Sequence, residues 1–249
     1  MYKKTKIYFV SDAHLGSASD KSSDERETLI VEWLNEIKED ASEIYLLGDI
    51  FDFWFEYKYV VPKGFVRILS KLRELHEQGI TIYYFKGNHD MWTFDYISEI
   101  TGAVIKSDYE IKTVCGKKLF IGHGYGLGKC NKKDKILKWF FSRSLFQFLF
   151  KILPPFISFS IATSWSKASR KKHDYTKTID YNEEVLVKYA KTILEKEDID
   201  FFIFGHRHIP FQIKLNENTV FTNVGDWLIN YTYAVFDGEK IKIIKKYFK

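Results

Sequence analysis

The stretch ITIYYFKGNHD (residues 80–90) joins two kinds of chemistry at one glycine. Ile80 to Phe85 is an apolar run of strand character; past Gly87 the chain at once presents Asn88, His89 and Asp90. Alone, this is a polar turn, because turns favour Gly, Asn and Asp for conformational reasons. The arrangement recurs in FVSDAH (9–14), LLGD (46–49), LFIGHG (119–124) and FIFGHRH (202–208). Five apolar strands therefore each run into side chains able to bind a metal. In open α/β sheets, sites collect beyond the carboxyl ends of the strands, so five such ends converge on one crevice.

The rest of the chain alternates around these strands. Lys6–Val10 reads as a strand, and Glu25–Lys38 as a helix with Leu29, Ile30, Trp33, Leu34 and Ile37 at helical spacing. Ile44–Leu47 is a strand, Phe65–Gln78 a helix ending at Gly79, and Lys118–Ile121 a strand after the turn at 115–117. Residues 179–195 read as a helix and Phe201–Phe204 as a strand; four short β-like runs follow at 211–215, 219–224, 231–236 and 240–247. Strand–helix alternation followed by antiparallel strands predicts a layered α/β sandwich. The 249 residues suffice for one large domain spanning 1–249, with an insertion at about 128–175.

Composition narrows the class. Two cysteines, Cys115 and Cys130, make neither a disulfide framework nor a CxxC metal site, and a reduced cytoplasmic compartment fits. The start, MYKKTKIYFVSD, is basic and then apolar, but its apolar run is too short for a signal peptide and reads as a first strand. The net charge of +5 is unevenly distributed. Between Gly128 and His173, eleven Lys/Arg face one acid, Asp134, so that segment carries +10 and the remainder −5. Such a run is either a solvated face or an anion-binding one.

The strand ends offer Asp12, His14, Asp49, Asn88, His123, His206 and His208. Four imidazoles, two carboxylates and an amide oxygen exceed the needs of one tetrahedral ion. They suit two divalent ions sharing a bridging carboxylate. Mixed N/O ligation without cysteine favours Mn²⁺, with Fe or Zn²⁺ as alternatives. Such a pair activates a bridging water and stabilises in-line displacement at an ester. Five of the seven histidines lie in these clusters; His76 and His173 read as surface residues.

As a set, D-x-H (12–14), G-D (48–49), G-N-H-D (87–90), G-H (122–123) and G-H-x-H (205–208) resemble the calcineurin-like metallophosphoesterases over nearly the whole chain. The resemblance implies an αββα sandwich with a helical cap inserted. It implies one ion held by Asp12, His14, Asp49 and His208, and another by Asp49, Asn88, His123 and His206. Asn88, His89 and His206 would also meet the substrate. His89 would be the catalytic donor to the developing charge or leaving oxygen, and Asp90 would orient its ring.

GDIFDFWFEYK (48–58), GHGYGLG (122–128) and the long insertion look like the UDP-2,3-diacylglucosamine pyrophosphatases of lipid A biosynthesis. Those enzymes release UMP and 2,3-diacylglucosamine 1-phosphate. The likeness extends loosely to Ser166, Ser169 and Arg170 as substrate contacts. Two positions depart from the pattern: His89 stands where many members carry Arg, and Tyr125 where they carry Asp.

Residues 136–165 contain nine aromatics, two prolines and three charges. Arg143, Lys151 and Pro154-Pro155 interrupt the run, which excludes a membrane-spanning helix of about 20 apolar residues. Helices of an ordinary core are one reading. A cap that holds acyl chains and rests peripherally on the anionic cytoplasmic face of the inner membrane is the favoured one. The expected partner is a nucleotide-linked lipid, with oligomeric state open. The alternatives are a nuclease, phosphodiesterase or phosphatase acting on another phosphate ester, and a fold retained as a binding module. Against nucleic acid stands the aliphatic-aromatic density of residues 145–161, which suits acyl chains better than stacked bases.

Overall fold

The computed structural model describes residues 5–128, 136, 139–170 and 180–248, except the side chains of 167–170. Eleven strands form two sheets among these residues. β1 (Lys6–Val10), β2 (Ala41–Leu46), β3 (Thr81–Phe85) and β4 (Val104–Lys106) lie parallel, and β10 (Thr232–Phe236) and β11 (Ile241–Lys245) add antiparallel beside β1. The second sheet has the order β5 (Tyr109–Val114), β6 (Lys117–Gly122), β7 (Phe201–Phe204), β9 (Val220–Asn223), β8 (Phe211–Lys214). Its three inner strands are parallel and its two edges antiparallel.

Alternation along each strand builds the layers, because successive side chains point to opposite faces. Ile7, Phe9, Tyr45, Leu47 and Phe85 from one sheet meet Leu119, Ile121, Phe201 and Ile203 from the other, forming the central core. The intervening Tyr8, Val10, Ile44, Leu46, Ile82 and Tyr84 point outward to α1 (Ser23–Ile37), α2 (Val66–Glu77) and α3 (Tyr96–Thr101). On the far side, Phe120, Phe202 and Phe204 pack on Leu186, Val187 and Ala190. Each such side chain, fully buried, contributes about 1.5–3 kcal/mol. The result is an αββα sandwich.

Helix starts follow their local chemistry. Ser22 and Glu25 form a reciprocal capping box at the start of α1, a device worth about 1 kcal/mol.

Three sequence expectations change. The four closing strands are not one antiparallel block, since β8 and β9 join the second sheet and β9 pairs parallel to β7. The helix expected at 179–195 starts only at Val185, where the Glu184 carboxylate caps the Leu186 N–H. β4, β5 and α3 went unread: two are short, and β5 has no fully buried residue, its Tyr109 and Ile111 lying on an exposed face.

Within the insertion, α4 (Ser144–Ile152) and α5 (Pro155–Arg170) lie over the loops that follow β2 and β3. α4 is not a core helix, because it has no buried residue, whereas α5 buries Ser158, Ala162 and Ser166. His76 is exposed, as expected; His173, with Lys129, Lys132, Lys133, Lys135, Lys138, Lys171 and Lys172, lies outside the described residues.

Candidate metal centre

The carboxyl ends of β1, β2, β3, β6 and β7 meet at one end of the sandwich and bring all seven candidate ligands together. Two carboxylates organise them in the same way. Asp12 Oδ2 accepts the His206 N–H at 2.8 Å, leaving Oδ1 3.3 Å from His208 Nε2 and 3.8 Å from His14 Nε2. Asp49 Oδ1 accepts the His89 N–H at 2.8 Å, leaving Oδ2 3.5 Å from His123 Nε2 and 3.9 Å from His14 Nε2. Asp49 thus faces both halves of the site.

The imidazoles are set by what their other nitrogens do. His123 Nδ1 lies 2.6 Å from the Leu47 carbonyl, which can only accept, so the ring carries its hydrogen there. Its Nε2 turns a lone pair toward Asn88 Oδ1 at 3.3 Å and toward Asp49. His14 Nδ1 faces Asp52 Oδ1 at 3.4 Å, and His208 Nδ1 faces Asp226 Oδ2 at 3.4 Å, while their Nε2 atoms stand 3.3 Å apart. Carboxylates behind metal-binding imidazoles fix ring orientation in this way. Acceptor atoms aimed at one another repel unless a cation lies between them, and these residues form three overlapping groups: Asp12, His14 and His208; His14, Asp49 and His89; and Asp49, His123 and His206. The first and the third consist wholly of candidate ligands. The donor set fits a pair of divalent ions.

The backbone is bent to deliver these groups. Asp12, His14, Asp49, His206 and His208 all have left-handed conformations, with φ between 43° and 68°. Each costs a non-glycine residue about 1–2 kcal/mol, and such strain clusters at functional sites. Neighbouring loops hold it in place: the His14 N–H donates to the Asp49 carbonyl and the Asp12 N–H to that of Gly48. Two glycines permit the close approach. A Cβ on Gly87 would overlap Asp49 Oδ1 and its backbone nitrogen, and one on Gly205 would overlap Ser11 Oγ and Asp12.

A roof of aromatic side chains adjoins this floor. Phe150 of α4 packs on Phe55 and Trp92 with ring centroids 4.9 and 4.6 Å apart. Phe159 of α5 meets Phe53 at 5.2 Å, and the Phe141 carbonyl accepts the Trp92 indole N–H at 2.8 Å. Ser158, Ala162 and Ser166, spaced four apart, are the buried stripe of α5. The opposite surface of the two helices exposes Leu145, Phe148, Leu149, Ile152, Phe156 and Ile161. No helix among the described residues is long and apolar enough to cross a membrane.

A family model described as calcineurin-like phosphoesterase matches residues 5–210. The chain belongs to that family. Its curated relatives include UDP-2,3-diacylglucosamine hydrolases. That of Porphyromonas gingivalis is 34% identical, covering 94% of this chain and 95% of its own. That of Haemophilus influenzae is 27% identical, covering 90% and 91%, and that of Vibrio cholerae 27%, covering 92% and 93%. This phosphoesterase is a metal-dependent hydrolase, with its divalent-metal site where the strand ends converge.

Charge in the pocket agrees. Burial works to raise the Asp12 carboxyl, but the His208 charge, the neighbouring His14 imidazole and the His123 charge bring it below the ordinary carboxylate range. Burial likewise opposes ionisation of Asp49, yet the charges of His123 and His89 hold it well below that range. His123 is raised to about 9: burial disfavours its charged form, but the Asp49 charge and hydrogen bond outweigh that. A pocket that draws a proton onto His123 has negative charge for a cation to neutralise instead. Burial, helped by the His123 charge, lowers His206 well below its ordinary value, and burial pushes His89 down to about 4.

One expected role changes. Asp90 does not orient the His89 ring: Oδ1 accepts the N–H groups of Gly87 and Asp49, and Oδ2 those of Ile50 and Phe51 and the Tyr84 hydroxyl. It braces the loop that carries Asp49. Burial, then the nearby Asp49 charge, raises its pKa against those hydrogen bonds. The His89 ring is held instead by Asp52 and Ser166. Tyr125 stands edge-on to His206 at 5.5 Å between ring centroids. Ser169 and Arg170 lie on the last turn of α5, with side chains outside those described. Asp52 and Asp226 were missed; Asp226 was legible, because VFTNVGD (220–226) is a sixth strand running into a polar cluster.

Proposed function

We propose that this phosphoesterase hydrolyses the pyrophosphate of UDP-2,3-diacylglucosamine, giving UMP and 2,3-diacylglucosamine 1-phosphate in lipid A biosynthesis. The observation that carries the reading is the position of an aromatic helical roof directly over a floor of convergent metal donors. The names of the relatives supply the substrate class. Asp12, His14, Asp49 and His208 would hold one ion, and Asp49, Asn88, His123 and His206 the other, with Mn²⁺ favoured and Fe or Zn²⁺ as alternatives. Two such ions supply Lewis acidity and a nucleophile at neutral pH. The chain's own residues do the rest. Asp49 sets the spacing between the two groups. His89, with Nδ1 committed to Asp52, offers Nε2 to the phosphoryl group or the leaving oxygen.

The insertion acts as a cap in this reading, forming one domain with residues 1–249. Its inner aromatics and Ser166, Ser169 and Arg170 would line the lipid side, where each buried CH₂ is worth about 0.8 kcal/mol. The outer apolar surface, flanked by basic residues, would seat the enzyme peripherally on the cytoplasmic face of the inner membrane. The test offers the Mn²⁺-loaded protein UDP-2,3-diacylglucosamine beside a generic phosphodiester, then adds a chelator. UMP release favouring the lipid by orders of magnitude, abolished by chelation and restored by Mn²⁺, is expected. No UMP release rejects the substrate.

A further inference from the structure

Asp52 is 6% exposed and joins three parts of the molecule. Its carboxylate Oδ1 faces His14 Nδ1 at 3.4 Å and accepts the Ser166 hydroxyl of α5 at 2.7 Å across 114 residues of sequence. Its main-chain carbonyl lies 3.0 Å from His89 Nδ1, and Ser166 Oγ lies 3.2 Å from the same nitrogen. These contacts share one consistent arrangement of protons. A carbonyl only accepts, so His89 carries hydrogen on Nδ1. Ser166 gives its own hydrogen to Asp52 and receives the ring N–H on a lone pair. The ring is therefore fixed with Nε2 toward the reacting group. The next residue, Phe53, packs upward on Phe150 and Phe159 of the helical roof.

We propose that Asp52 and Ser166 are a positioning pair that makes the docking of α5 a condition for alignment of the His89 and His14 rings. This rests on the phosphoesterase reading of the site, not on the identity of the lipid. It reassigns Ser166 from a substrate contact to a part of the machinery that acts on any phosphoester. When α5 is seated, Asp52 accepts the Ser166 hydroxyl and both rings are held; when α5 lifts, His89 loses one of the two groups that hold its ring.

The test measures bis(p-nitrophenyl) phosphate and UDP-2,3-diacylglucosamine with Ser166→Ala, Asp52→Asn, the double variant and Ser166→Thr, all metal-loaded and with metal content measured. On the small diester, kcat is expected to fall about 10- to 100-fold in each alanine or asparagine variant, with KM unchanged. The double variant should be no slower than the slower single one, and Ser166→Thr should recover most of the rate. Unchanged kcat on the small diester, with a KM rise confined to the lipid, overturns the proposal, as do losses that multiply in the double variant. ¹⁵N spectra of the His89 ring give the same answer without turnover: an Nδ1–H signal that is sharp in the parent and exchange-broadened in Ser166→Ala supports it, and an unchanged signal overturns it. Failure to cleave the lipid while these signatures hold rejects the substrate and leaves the pair standing.

Discussion

The floor and the roof of the site are built on opposite terms. In the floor, Asp12, His14 and Asp49 are essentially buried, and five donors sit on strained backbone held by strand-end loops. In the roof, α4 has no buried residue and ordinary helical geometry, with ring contacts on one side and exposed apolar surface on the other. The floor spends stability on position, whereas the roof keeps only enough packing to stay over the floor. Chemistry that needs sub-ångström placement is located where neighbouring loops over-determine it. In the proposed function, the exposed rings of the roof are left to meet the apolar part of the substrate.

The sharpest way to test that contrast is Asp49→Ala, which removes the one carboxylate facing both donor groups. Turnover on any substrate should drop at least about a thousandfold, roughly 4 kcal/mol of transition-state stabilisation, with loss of bound metal by elemental analysis. Gly87→Ala comes next: its Cβ has no room beside Asp49, and overpacking of this kind costs about 1–3 kcal/mol. It should lower the thermal midpoint and metal content together, and a normal metal content would break the claim that the floor is close-fitted.

On the roof, Phe150→Ala should leave kcat on a small diester near the parental value while raising KM for the lipid several-fold. Equal losses on both substrates would erase the division of labour. Smallest is the outer surface. Phe148→Ser with Leu149→Ser should change unfolding free energy by less than about 0.5 kcal/mol each yet reduce co-sedimentation with anionic vesicles. Unchanged vesicle binding would reject the proposed membrane contact of that surface.

The floor was almost wholly legible because its signal is local: an apolar run, a glycine or serine, then a donor, repeated in order. The alternation that gives one sheet Ile7 and Phe9 inward and Tyr8 and Val10 outward is equally local. What escaped depends on distance. That Asp90 braces a neighbouring loop while Asp52 holds the His89 ring follows from how the β2 and β3 loops nest, and spacing carries no trace of it. The split of the four closing strands between two sheets escaped for the same reason, since each run reads identically whichever edge it joins. Edge strand β5, half-wet along its length, lacked the pattern that marks buried strands.

The cross-ties of the floor have a mechanical consequence. Asp12, rising from one sheet, grips the backbone of His206 on the other, and His123, from the second sheet, reaches back to the Leu47 carbonyl of the first. The two halves of the sandwich are thereby riveted at one end by the same groups that are proposed to hold the metal. Cation loading becomes a gauge of how the halves are registered, and a core substitution that lets them slide would be felt as a lost ion before it is seen as a lost fold.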